Sequence, residues 1–302
     1  APKNLTEFES LIRSRTRAAL ESLPENTPFN WVELVSRNLT TQMLATLFDF
    51  PWEERQKLST WSDAAVSDER ITGKADLTLE ERQLMAVDIF ESFSRLWQER
   101  LDDGVESFDL IRLMQKDPNT KDLINDPVMF IGNLLLLIVG GNDTTRNSMT
   151  GGVIFFNENP GELEKVRNDT SLIPSMVSEV IRFQTPLPHM RRTVARDFEF
   201  KGHRMKEGDK VVLWYCSANR DDDVIKNPDS FVIDRESPRN HASFGFGIHR
   251  CMGNRLAEMQ LRVLWEECLD LFESIEVQAE PTRLSNNFVR GYSELEVVVK
   301  RQ

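Results

Sequence analysis

Cys251 lies in the segment Phe244-Gly-Phe-Gly-Ile-His-Arg-Cys-Met-Gly253. Gly245 and Gly247 let the backbone curl closely around whatever the loop holds, and a long helix is expected just beyond the cysteine. A thiol at a helix N-terminus beside Arg250 has its thiolate stabilised by the dipole and by the cation. Such a thiolate is either a nucleophile or a metal ligand. A nucleophile needs a base, and the histidines are His189, His203, His241 and His249. His249, two residues away, is poorly placed to deprotonate the sulfur, so a bare thiolate among donors fits an axial iron ligand better. Cys216 and Cys268 lack these surroundings and read as small buried hydrophobes.

Three further groups could do chemistry. Asp143-Thr144 pairs an acid with an alcohol, as proton delivery into a dry pocket requires: Thr144 would orient a water or an oxygen species and Asp143 would relay from solvent. A helix kink with a satisfied threonine is the plainer reading of the same residues. Glu179 and Arg182, three apart on a helix, share one face; alone the pair reads as a solvated surface contact. His249, Arg191 and Arg192 could anchor carboxylates, the arginines by bidentate contact.

The elements that must position these groups are mostly helical. Leu5, Phe8, Leu11, Ile12, Ala18, Ala19 and Leu23 keep i, i+3, i+4 spacing until Pro24 and Pro28. A second stripe from Trp31 to Phe48 stops near Pro51; shorter helices are expected over 52–66 and 78–101, with a mobile surface loop from Ser67 to Asp76. Asn125-Asp126-Pro127 starts the next helix and Asn159-Pro160 stops it. About 30 residues at 1.5 Å each make roughly 45 Å, enough to cross a domain. Leu134 to Val139 is apolar on every face and predicts burial all round. The Gly140-Gly141-Asn142-Asp143-Thr144-Thr145 patch that follows breaks helix rules mid-core, which points to a functional site. Beyond Pro160 come a helix at about 172–184 and strands at Arg191–Ala195, Phe198–Phe200 and Val211–Ser217, with turns at Gly202 and Gly208. A loop-rich segment, Asn219 to Gly247, leads to a helix at about 253–273 and a strand over Leu295–Lys300. With no linker in view, residues 1–302 are expected to form a single domain.

Composition narrows the class. The 302 residues carry 37 Lys+Arg against 49 Asp+Glu, a net charge of −12 that argues against nucleic-acid binding. Three cysteines do not make a disulfide framework and fit a reducing, cytosolic setting. The strongest apolar run, Val128 to Val139, is interrupted by Gly132 and Asn133 and falls short of the roughly 18–20 residues of a membrane span.

Together these residues resemble the cytochrome P-450 family of haem-thiolate monooxygenases. Phe244, Gly247, Cys251 and Gly253 match the signature Phe-x-x-Gly-x-x-x-Cys-x-Gly. Gly-Gly-x-Asp-Thr, Glu179-x-x-Arg182, and Asn227-Pro-Asp-Ser-Phe231 with Asp234-Arg235 precede it in the right order. The resemblance implies a mainly α fold with a small β region and haem b (iron protoporphyrin IX) as cofactor. Cys251 would be the proximal iron ligand, with Phe244 beside the sulfur and Gly245 in the same cofactor loop, while Arg192 and His249 would bind propionates. Glu179, Arg182 and Arg235 would form a buried network behind the proximal face, and Asp143 and Thr144 would serve O2 protonation and O–O cleavage. The wording of the motifs is similar to the bacterial branch that hydroxylates medium-chain alkanes at the terminal carbon, where Val139, Gly140 and Leu187 would line the pocket. Electrons would come from NAD(P)H through a ferredoxin reductase and a ferredoxin, in the cytoplasm. In family terms the chain is expected to begin after the third helix, without the N-terminal β-sheet and first helices. Other readings stay open: a haem-poor inactive fragment, a terpenoid or steroid substrate, peroxide-driven chemistry, or a cysteine hydrolase using Cys251.

Overall fold

The computed structural model describes residues 2–66, 77–102 and 108–302. The Ser67–Asp76 loop expected from the sequence lies outside the described residues. The helices are α1 (Pro2–Glu21), α2 (Asn38–Phe48), α3 (Gln56–Val66), α4 (Leu79–Asp102), α5 (Leu110–Lys116), α6 (Pro127–Glu158), α7 (Pro160–Asn168), α8 (Ile173–Gln184), α9 (Tyr215–Ala218) and α10 (Asn254–Leu271). Strand β1 (Phe29–Asn30) pairs with β9 (Glu296–Arg301), which also pairs with β6 (Phe272–Val277), all antiparallel. Two-stranded antiparallel pairs form between β2 (His189–Thr193) and β5 (Lys210–Trp214), β3 (Phe198–Phe200) and β4 (His203–Met205), and β7 (Thr282–Arg283) and β8 (Tyr292–Glu294). The fold is mainly helical with a small β region, as the sequence predicts.

Helix α6 organises the rest. Asp126 caps it by accepting the Met129 N–H at 3.1 Å, and Pro127 occupies the first turn, where its missing N–H costs nothing. Helices α2, α3, α8 and α10 all pack on it. Its C-terminal half, with Met149, Val153 and Phe156, enters a core shared with Val177, Val180, Leu261, Leu264 and Val297. Its N-terminal half places Phe130, Leu134 and Ile138 against a second cluster rich in rings: Phe48, Phe50, Trp61, Phe93 and Trp97. Within that cluster Phe48 meets Phe93 edge-on at 5.0 Å between centroids.

Four expectations change. Burial all round from Leu134 to Val139 is not found: Leu134 and Ile138 are buried, but Leu136 is 71% exposed, because the second core meets only one flank of the helix. The expected strand Val211–Ser217 ends at Trp214, and Tyr215–Ala218 turns into helix α9. That turn buries Tyr215 and delivers Asn219 into the interior. The second amphipathic stripe starts as a π-helix, Val32–Arg37, before α2. From this wider turn Ser36 reaches Thr150 at 2.9 Å, and Thr40 just beyond it reaches Asn142 at 2.7 Å. Finally, α6 taken whole is long and apolar enough to cross a membrane by length and composition, since Gly132 and Asn133 do not interrupt the helix. Here it is a core helix carrying buried Asn142, Asp143, Arg146 and Asn147.

Candidate active site: a cysteine loop, a buried arginine network and a polar patch on α6

The cysteine loop closes on itself through its backbone. The Cys251 N–H donates to the Phe244 carbonyl at 2.9 Å, and the Arg250 N–H donates to Gly247 at 3.0 Å. Gly245 (φ +65°) and Gly247 (φ +74°) hold left-handed conformations that favour glycine, and a Cβ on Gly245 would come within 3.0 Å of the Tyr215 hydroxyl. Helix α10 starts just beyond, and the backbone N–H groups at its start, those of Gly253 and Asn254, pull the Cys251 thiol down. The thiolate expected from those donors is opposed. Cys251 is exposed at its outer edge, yet protein crowds the sulfur from behind, and this desolvation pushes the thiol above its ordinary value against the two N–H groups and Arg250. Iron coordination would reverse that balance, because a coordinating thiol is deprotonated outright. Cys216 is half-buried; Cys268 is buried, and burial pushes its thiol far up, as an inert core residue requires.

Beside the sulfur the loop turns apolar side chains outward: Phe246, Met252 and Ile248, the last 96% exposed. On α6, Gly140 has no neighbour within 4 Å of an added Cβ. Among the described residues no group of three or more His, Cys, Asp or Glu side chains could hold a metal, so the protein offers one sulfur rather than a cage. One soft ligand at a helix start, in a loop that also carries outward apolar side chains, fits a flat apolar iron macrocycle. Exposed His249 and half-buried Arg192 could meet acidic substituents; Arg192 Nη1 donates to the Arg191 carbonyl at 3.0 Å.

Glu179 and Arg182 are not a surface pair; both are at most 1% exposed. Arg182 Nε and Nη2 each donate to the Glu179 carboxylate at 2.8 Å, and Arg235 Nε joins at 2.9 Å. Arg182 spends its other N–H groups on the carbonyls of Asn219 (2.6 Å), Pro228 (2.8 Å) and Ser230 (3.1 Å). Asn219, which sequence reasoning missed, ties this network to the cysteine loop. Its Nδ2 donates to Ser243 Oγ at 2.8 Å and its Oδ1 accepts the Ala242 N–H at 2.6 Å. His241, weighed from the sequence only as a possible base, lies 5.6 Å from the Phe244 ring, and its pKa is lowered to about 4, first by burial and then by Arg182. Asn219 had no signal in the sequence beyond its place at the start of a loop-rich segment.

Asp143 and Thr144 are neighbours whose side chains diverge. Thr144, half-buried, donates from Oγ1 to the Gly140 carbonyl at 2.9 Å. Asp143 is wholly buried on the flank facing α3, where Ser62 Oγ donates to it at 2.8 Å and Arg146 pairs with its other oxygen. Burial pushes the Asp143 carboxyl above its ordinary value, against the pull of Arg146 and of Ser62. Val139 and Leu187 are half-buried and Gly140 is exposed. The structure thus joins Glu179, Arg182 and Arg235 in one network and links Phe244 to Cys251. It makes no direct hydrogen bond between Asp143 and Thr144 or between Arg192 and His249.

The geometry agrees with what the chain is similar to. The cytochrome P450 family model matches residues 85–298. Linalool 8-monooxygenase of Pseudomonas putida is 33% identical over 307 residues, 99% of this chain and 72% of that protein. Methyl-branched lipid omega-hydroxylase of Mycobacterium tuberculosis is 30% identical over 311 residues, 98% of this chain and 69% of that protein. Among solved structures, cytochrome P450-153 from Novosphingobium aromaticivorans is 43% identical with a TM-score of 0.88, covering 99% of this chain and 72% of its own.

Proposed function

The chain belongs to the cytochrome P450 family of haem-iron monooxygenases, and we propose that it hydroxylates the terminal carbon of medium-chain alkanes or fatty acids. Haem b, when bound, supplies the activation of dioxygen. Cys251 would hold its iron, with Phe244 and Gly245 shaping the loop around the sulfur, and Arg192 and His249 would hold its propionates. Asp143 and Thr144 would move and orient the protons that the reaction consumes. Val139, Gly140 and Leu187 would bind the substrate by burial, worth about 0.8 kcal/mol per CH2 group. Gly140 leaves room for a slender chain, since nothing lies within 4 Å of a Cβ added there. A ferredoxin, reduced by an NAD(P)H-dependent reductase in the cytoplasm, would supply electrons near Arg250.

The observation that carries this reading is the cysteine loop: one sulfur at the start of α10, on a backbone that closes through the Cys251 N–H onto the Phe244 carbonyl at 2.9 Å. The similarity to an enzyme named as an omega-hydroxylase supports attack at a chain end. The test is the haem-loaded protein supplied with ferredoxin, reductase, NADH and n-octane. A thiolate-type Soret band in the ferrous carbon monoxide complex, absent in Cys251→Ala, and 1-octanol as the main product are expected. Subterminal alcohols alone would overturn the regiochemistry. Preference for an acyclic terpenoid alcohol over octane would favour the other substrate class that the linalool enzyme's name suggests.

A further inference from the structure

Asp143 shares its arginine. Arg146, 5% exposed, pairs with Asp143 through Nη2 and with Asp63 of α3 through Nη1 at 2.9 Å. The other oxygen of Asp63 pairs with Arg37 Nη2 at 2.7 Å, and Arg37 Nη1 reaches Glu33 at 3.3 Å, both on the π-helix. One buried guanidinium therefore serves two carboxylates, Asp143 with no exposure and Asp63 with a side chain 39% exposed. The cluster is not fully satisfied: Arg146 Nε and the neighbouring Asn142 Nδ2 are buried without a hydrogen-bond partner. A guanidinium cannot pass on a proton, so Arg146 is no relay. What it can do is hold a carboxylate or release it, and a buried N–H without a partner costs free energy that a small swing of the guanidinium would lower.

We propose that Asp63 is a positioning residue for proton delivery: by competing with Asp143 for Arg146, it sets how tightly the buried carboxylate is held and whether that carboxylate can turn to serve Thr144. The inference rests on the role assigned above to Asp143 and Thr144. The charged groups around Asp143 are Arg146 on its own helix, Asp63 on α3, and Arg37 and Glu33 on the π-helix. Of these, the charge of Asp63 raises the Asp143 carboxyl and that of Arg37 lowers it. Two exposed-end substitutions should thus act with opposite signs.

The experiment follows the Asp143 carboxyl carbon against pH in 13C-aspartate-labelled, ferrous carbon monoxide-bound holoenzyme, with Asp143→Asn identifying the resonance. Asp63→Asn is expected to lower the midpoint and Arg37→Gln to raise it, each by about one unit, a tenfold change in proton affinity. In turnover, Asp63→Asn should raise the solvent isotope effect and divert electrons to peroxide, with KM unchanged. Wild-type midpoints in both variants would overturn the proposal. If Asp63→Asn does not fold, the upward shift in Arg37→Gln decides alone. Wild-type coupling in Asp143→Asn would instead overturn the role of Asp143 itself.

Discussion

Two buried acid–arginine clusters, on α8 and α6, are built to different standards of completeness. Around Glu179, Arg182 uses every N–H it has, two on the carboxylate and three on backbone carbonyls. Glu179 also accepts the Val232 N–H at 2.8 Å and Arg235 at 2.9 Å. Around Asp143, Arg146 reaches two carboxylates and leaves Nε without a partner. A low-dielectric interior magnifies both conditions. The closed network ties α8 and residues 219–235 into one body next to the cysteine loop. The open one keeps a buried carboxylate on a shared partner, as the proton-moving role proposed for Asp143 would require.

The largest test of this contrast is Glu179→Ala, which strands Arg182 as a buried, unpaired cation. We expect a loss of about 3–5 kcal/mol in urea unfolding at neutral pH; a loss within 1 kcal/mol would mean the network is not the closed scaffold described. Next comes His241, which burial and Arg182 hold at about 4, below its ordinary 6.5. A histidine with a lowered native value contributes stability above pH 6.5 and loses it as pH falls toward 4. His241→Gln should remove that acid limb, a change of at most about 3 kcal/mol, read from unfolding midpoints across pH. Smallest is Asp143→Asn, which keeps an acceptor for Ser62 and leaves Arg146 with Asp63; about 1 kcal/mol is expected at pH 7. Because the Asp143 carboxyl is raised, it penalises the native state as pH climbs above its ordinary 3.8. The stability gap between Asp143→Asn and wild type should therefore narrow with rising pH. A gap that widens would mean that Arg146 holds the charged Asp143 carboxylate more strongly than burial opposes it.

Much of the site was visible before the fold. The glycines at 245 and 247 predicted a tight loop, and both adopt left-handed φ values. Asp126-Pro127 and Asn159-Pro160 bounded α6 to within two residues, since caps and prolines act locally. Local rules failed where contact partners come from far along the chain. Leu136 and Leu134 are the same residue type two positions apart, yet only Leu134 meets the ring cluster. Tyr215 sits in a strand-like run, but the need to bury its ring and carry Asn219 to Arg182 turns the chain.

The amino-acid sequence by itself determined the family, the ligand cysteine candidate and the order of the helices, because each rests on residue type and short spacing. Tertiary structure alone decided that Asn219 joins Glu179 and Arg182 to the cysteine loop. It alone set Asp63 and Asp143 on one arginine, across 80 residues of chain. Charge and hydrogen-bond satisfaction are properties of neighbourhoods, and those neighbourhoods form only when distant segments pack.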